Sequence, residues 1–115
     1  MGVNIRASLL ALAFALAPLC VSADPQSNTV AQTAVAVATT TTTILAANQA
    51  RQMASIYNGA SNPVYVCLGT ATCTTSTYTV QIVVGAYYEL PIAFHGIVSG
   101  IDPLGPDTVN VAEYK

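Results

Sequence analysis

Thr77-Tyr78-Thr79-Val80-Gln81-Ile82-Val83-Val84 is the clearest alternating stretch in this chain of 115 residues. Tyr78, Val80, Ile82 and Val84 fall on one side of an extended backbone, with Thr77, Thr79 and Gln81 on the other. A period of two marks a strand with one face against a core. Working outward, shorter strands are expected on both sides. Residues 52–57 run up to the turn pair Asn58-Gly59, and residues 64–68 begin after Pro63, which starts a strand without interrupting its ladder. Gly85-Ala86 leads into residues 87–90, which Pro91 stops. Residues 94–101 form a further strand, loosened by Gly96 and Gly100. Asp102-Pro103-Leu104-Gly105-Pro106-Asp107 is a turn, because two prolines and a glycine forbid a regular ladder. Residues 108–114 alternate again, with Val109 and Val111 on one face.

Toward the N-terminus, Thr39 to Thr43 are five consecutive threonines leading into Ile44-Leu45. Their β-branching favours an exposed or edge strand, with a flexible linker as the alternative. Residues 24–38 are small and non-aromatic and read as an extended arm or a first strand. Only residues 46–54 approach a helical period, and they are few. Seven or eight short strands with frequent turn signals predict an all-β chain, an antiparallel β-sandwich with the jelly roll among its forms. The expected division is an apolar segment over residues 1–23, a Thr/Ala-rich arm or edge strand over 24–43, and the sandwich over 44–115.

Composition narrows the function. Charged residues make up 7% of the chain and hydrophobic ones 53%, against about 25% charged in an ordinary soluble domain. Disordered chains show the opposite balance. A surface so poor in charge is expected to be covered by neighbours in an oligomer or larger assembly, with an ordinary Thr/Ser-rich exterior as the alternative. Beyond residue 23, Asp24, Glu89, Asp102, Asp107 and Glu113 face only Arg51 and Lys115, five acids less two cations for a net −3. Nucleic acid is thereby disfavoured, since its phosphates call for clustered Lys and Arg.

Residues 1–23 read as a secretory signal: Arg6 gives the positive start, residues 7–19 carry no charge, and Val21-Ser22-Ala23 offers a cleavage site before Asp24. The apolar run is too short for a stable membrane span. The alternative is a retained apolar arm that packs on a neighbour. A lipidated Cys20 is disfavoured, because Leu19 stands where a small residue is needed. Export would leave Cys67 and Cys73, with turn-like residues between them, as a candidate disulfide; a reducing compartment would leave two thiols. Two cysteines and a distant His95 do not make a zinc site.

Reactive constellations are not evident. His95 is the sole candidate base, no serine lies in a nucleophile elbow, and no glycine loop cradles a phosphate. No catalytic residue, cofactor or small-molecule substrate is expected. Asp102 and Asp107 flank the Pro/Gly turn, as turn caps or as a shared calcium site. Arg51 is either a solvated strand-start residue or the cation of an ion pair with Glu89, Glu113 or a partner. Six tyrosines suit core and interface roles, with a sugar platform as the alternative.

Several segments in order, Ile44-Leu45-Ala46-Ala47-Asn48-Gln49-Ala50-Arg51, Pro63-Val64-Tyr65-Val66-Cys67-Leu68-Gly69, Tyr78-Thr79-Val80, Tyr87-Tyr88-Glu89-Leu90-Pro91, Gly96-Ile97-Val98-Ser99-Gly100-Ile101 and Val109-Asn110-Val111-Ala112-Glu113-Tyr114, carry a resemblance. Together they resemble small tailed-bacteriophage virion proteins of the head-decoration or fibre-associated β-sandwich type, over about residues 44–114. The resemblance implies a virion-located structural subunit that contacts copies of itself and other virion proteins. It implies structural or contact roles for Arg51, Tyr87, Tyr88 and Glu89, which makes them interface candidates. The signal-like start and the cysteine pair depart from that pattern. They point to the alternative, an exported adhesive or filament-forming surface subunit, secreted or periplasmic after cleavage behind Ala23.

Overall fold

The computed structural model describes Gly2 and residues 29–115, and there the chain is entirely β. The expectations for residues 1–23 lie outside this range apart from Gly2. Eight strands follow in order: β1 (Val30–Val37), β2 (Thr42–Leu45), β3 (Met53–Tyr57), β4 (Val64–Leu68), β5 (Val80–Ile82), β6 (Tyr87–Glu89), β7 (Val98–Ile101) and β8 (Asp107–Tyr114). They form two four-stranded antiparallel sheets, β1-β8-β3-β6 and β2-β7-β4-β5.

The pairing has a simple rule. β1 pairs with β8, β2 with β7, β3 with β6 and β4 with β5. The chain is therefore one long hairpin, folded at the β4–β5 connection and rolled so that its strand pairs alternate between sheets. That arrangement is a jelly roll. The roll is held by apolar residues from both inner faces: Val37, Ala54, Ile56, Val109 and Val111 meet Ile44, Val64, Val66, Ile82 and Val98. Each buried valine or isoleucine contributes on the order of 1.5–3 kcal/mol relative to exposure. Close approach sets one residue type. A Cβ on Gly100 would lie 2.5 Å from Ile44 Cδ1 and 3.2 Å from the Tyr65 carbonyl oxygen, so Ile44 fills the space that a side chain at position 100 would take.

Two sequence expectations need correction. Domain residues do not begin at 44: β1 pairs with β8 over its whole length, and β2 takes in Thr42 and Thr43. Of the alternatives for 24–43, the first strand and the edge strand are found, since β1 and β2 each lie at the edge of a sheet, and it is the domain boundary that moves, to residue 30. The stretch 77–84 is strand only over 80–82. Val83 and Val84 are exposed because the chain turns there, with the Ala86 N–H donating to the Val83 carbonyl at 3.0 Å. Gly85 takes φ +78°, as the third position of a type II turn requires. The alternation at Val84 therefore came from local composition and not from pairing.

Candidate functional site

Arg51 is the most constrained polar side chain. It leaves the β2–β3 connection just after a turn in which Asn48 Oδ1 accepts from the Ala50 N–H at 3.0 Å. The side chain then runs inward and is 1% exposed. Its Nε donates to Glu113 Oε2 at 2.8 Å, Nη1 to the carbonyls of Phe94 at 3.2 Å and Gly96 at 2.8 Å, and Nη2 to the Ala46 carbonyl. Glu113 Oε1 accepts from Asn48 Nδ2 at 3.1 Å and Lys115 Nζ at 3.2 Å. Burial alone would raise the Glu113 pKa; the hydrogen bonds from Arg51, Lys115 and Asn48 outweigh it and hold the carboxyl below its ordinary value. Of the readings open for Arg51, the structure shows the ion pair with Glu113, formed inside the chain and not at an exposed contact, and it excludes a solvated side chain. Arg51 pins the connections β2–β3 and β6–β7 to β8 at one end of the roll.

The opposite end holds a second set of polar locks. Asn58 is fully buried, its Nδ2 donating to the carbonyls of Asn62 at 2.9 Å and Ile82 at 2.8 Å. Its Oδ1 accepts from the Ala60 N–H at 3.0 Å. Asp102 caps the β7–β8 turn, accepting from the Leu104 N–H at 3.0 Å. Its other oxygen is buried without a partner. Burial pushes the Asp102 pKa up, the Leu104 amide pulls against this, and the Asp107 carboxylate beside it adds to the rise. Asn62 Nδ2 holds Asp107 at 2.8 Å. Among the described residues no cluster of three or more His, Cys, Asp or Glu side chains is arranged to hold a metal ion.

The outward faces of the two sheets differ sharply. The β2-β7-β4-β5 face is roofed by its own β4–β5 connection. Cys67 and Cys73 are joined, with sulfurs 2.09 Å apart and Cys73 1% exposed. Ser99 Oγ donates to the Thr70 carbonyl at 2.7 Å, and Thr41 Oγ1 to the Cys73 carbonyl at 2.9 Å. Tyr78 meets Tyr65 edge-on with ring centres 4.9 Å apart.

The β1-β8-β3-β6 face carries no such cover among the described residues. Register arranges its outward side chains in rows: Val30, Tyr114 and Met53; Gln32, Ala112, Ser55 and Glu89; Ala34, Asn110, Tyr57 and Tyr87. Small residues fill the middle of these rows, so the face is hollowed, with a volume of about 450 Å³. Tyr57 and Tyr87, directly opposite in register, are 45% and 66% exposed. Of the four residues expected to make contacts, Tyr87 and Glu89 stand on this face. Tyr88 points inward and packs on the core, which removes it from the surface. Gln32, Ser55 and Asn110 gave no signal in the sequence, because only strand register brings them together.

The edges differ as well. β5 and β6 are three residues long, and β2 is four residues long with a register shift between Thr43 and Leu45. Short or bulged edges resist further pairing. β1 has eight residues, an unbroken register, no charge and no proline, and among the described residues its outer side pairs with nothing. Comparison with family models, curated proteins and solved structures finds no match to the chain.

Proposed function

We propose that the chain is a non-enzymatic structural module of a bacteriophage particle, a jelly-roll subunit that decorates or joins the particle through protein–protein contacts. The observation that carries this reading is the β1 edge. Three edges of the roll are blunted and the longest one is not. An uncharged, straight edge strand is a template for another strand. The exposed side chains of Val83, Val84 and Leu104 give further apolar surface on the β5–β6 and β7–β8 connections. Fold alone does not assign the role. The low charge and the resemblance over residues 44–114 support it alongside the edge.

Contacts of this kind resist salt, because screening acts mainly on exposed ions. Sedimentation velocity of the purified chain at about 0.1 and 1 M NaCl tests the reading, these being salt levels with Debye lengths near 10 and 3 Å. Self-association that persists at the higher salt is expected. The double variant Val30→Lys, Ala36→Lys places like charges along β1 and is expected to abolish it. A monomer at every concentration and both salts would count against the proposal.

A second reading, an exported adhesive or filament-forming subunit, is favoured by the joined Cys67 and Cys73, which suit an oxidising compartment. N-terminal sequencing of native protein separates the two. A start at Asp24 favours export, and an intact Met1 favours the virion module.

A further inference from the structure

We propose that the open hollow on the β1-β8-β3-β6 face binds a neutral oligosaccharide. This inference stands on the sheet face alone and does not depend on the assembly reading. Four observations carry it. First, the hollow is lined by Gln32, Ser55, Tyr57 and Asn110 over a floor that includes Ala34 and Ala112, and none of its lining residues is charged. At about 450 Å³ it lies in the range of about 300–1,000 Å³ common for small-molecule sites. An anionic ligand would meet no cation here, and the only ionisable carboxylate in the same rows is Glu89.

Second, the polar side chains are unengaged. Among the described residues, Gln32, Ser55 and Asn110 make no side-chain hydrogen bond within the chain, whereas Asn48, Asn58, Asn62 and Ser99 all do. Two amides and a hydroxyl, each able to donate and accept, suit the adjacent hydroxyls of a sugar.

Third, an exposed aromatic ring, Tyr57, lines the hollow, with Tyr87 beside it on β6. Tyr57 and Tyr87 face each other across β3 and β6. A Cβ built on Gly59 would come within 3.1 Å of the Tyr57 ring and 3.8 Å of Asn110 Nδ2. A side chain at 59 would crowd the Tyr57 ring, which would have to give by a few tenths of an ångström. Phenol rings present flat apolar surface to the C–H faces of a pyranose while their hydroxyls remain free. Fourth, the opposite sheet has its middle covered by the β4–β5 connection, which takes in Ser99 and the joined Cys67 and Cys73, while the middle of this one is open.

The test is an amide NMR titration with maltohexaose, cellohexaose, xylohexaose, laminarihexaose and chitohexaose, with polygalacturonate as an anionic control. At least one neutral probe is expected to shift the amides of Gln32, Ser55 and Asn110 with a Kd of about 1 mM or tighter. Tyr57→Ala and Asn110→Ala are each expected to weaken binding by about tenfold, with an unchanged melting temperature. Ser55→Trp, which fills the hollow, is expected to abolish it. The inference is overturned if no neutral probe shifts this face. It also fails if the shifts map elsewhere, if the three variants bind like the parent chain, or if polygalacturonate binds as well as the neutral probes. A second copy of the chain as occupant would show as the same amides shifting with protein concentration and not with sugar.

Discussion

Replacing Arg51 with Met keeps a long side chain in place and removes the guanidinium. The structure sets the size of the effect. Arg51 is 1% exposed and donates to Glu113 and to the carbonyls of Ala46, Phe94 and Gly96. Without it, Glu113 is left with Asn48 and Lys115 only, and three carbonyls lose their donor. Breaking a buried ion pair from one side costs about 3–5 kcal/mol, since the surviving charge stays out of water. For a domain of this size each kcal/mol lowers Tm by about 4–8 °C, so R51M is expected to melt about 12 °C or more below the parent chain. Glu113→Gln keeps the shape and an acceptor but leaves the buried Arg51 charge without its counter-ion, so it is expected to cost a similar amount, about 3–5 kcal/mol. R51M combined with Glu113→Leu removes the orphaned charge and is expected to melt above R51M alone. Calorimetric melting of the four proteins is the assay. An R51M protein within about 1 kcal/mol of the parent would refute the reasoning and return Arg51 to the role of a solvated residue.

Two further outcomes follow from the same geometry. Glu113 titrates below its ordinary value and Asp102 above its own. The Glu113 contribution is therefore present above the ordinary glutamate range and lost as pH falls through its lowered pKa. The Asp102 contribution is present in acid and lost as pH rises through its raised pKa. Melting against pH should show R51M losing the acid-side fall that Glu113 supplies, and Asp102→Asn flattening the decline on the higher-pH side; parallel curves for all three proteins would contradict the assignments. Reduction of Cys67–Cys73, or the double substitution to Ala, is expected to cost about 2 kcal/mol by releasing the short closed loop. It should also expose Ser99 and Cys67 to hydrogen exchange, measured by mass spectrometry. Unchanged protection there would show that the β4–β5 cover holds without the bond.

Most strands were legible in the amino-acid order because alternation and turn residues act over a few neighbours. Val64–Leu68 matches its expected bounds, and residues 108–114 fall within β8. Where alternation was read too far, as at Val83-Val84, a glycine with positive φ ended the strand. The resemblance made Tyr88 and Arg51 interface candidates, yet Tyr88 packs on the core and Arg51 pairs with Glu113, 62 positions away in the chain. The hollow was not legible, since Gln32, Ser55 and Asn110 lie on three strands that only the roll places side by side.

By itself the sequence determined an all-β chain of short strands with few charges, because side-chain period and turn chemistry are local properties of the backbone. Tertiary structure alone decided how those strands wind into β1-β8-β3-β6 and β2-β7-β4-β5, which face is roofed and which edge stays open. The physical reason is that strand order and register are set by contacts between residues far apart in the chain. Those contacts form only when both inner apolar faces are buried together.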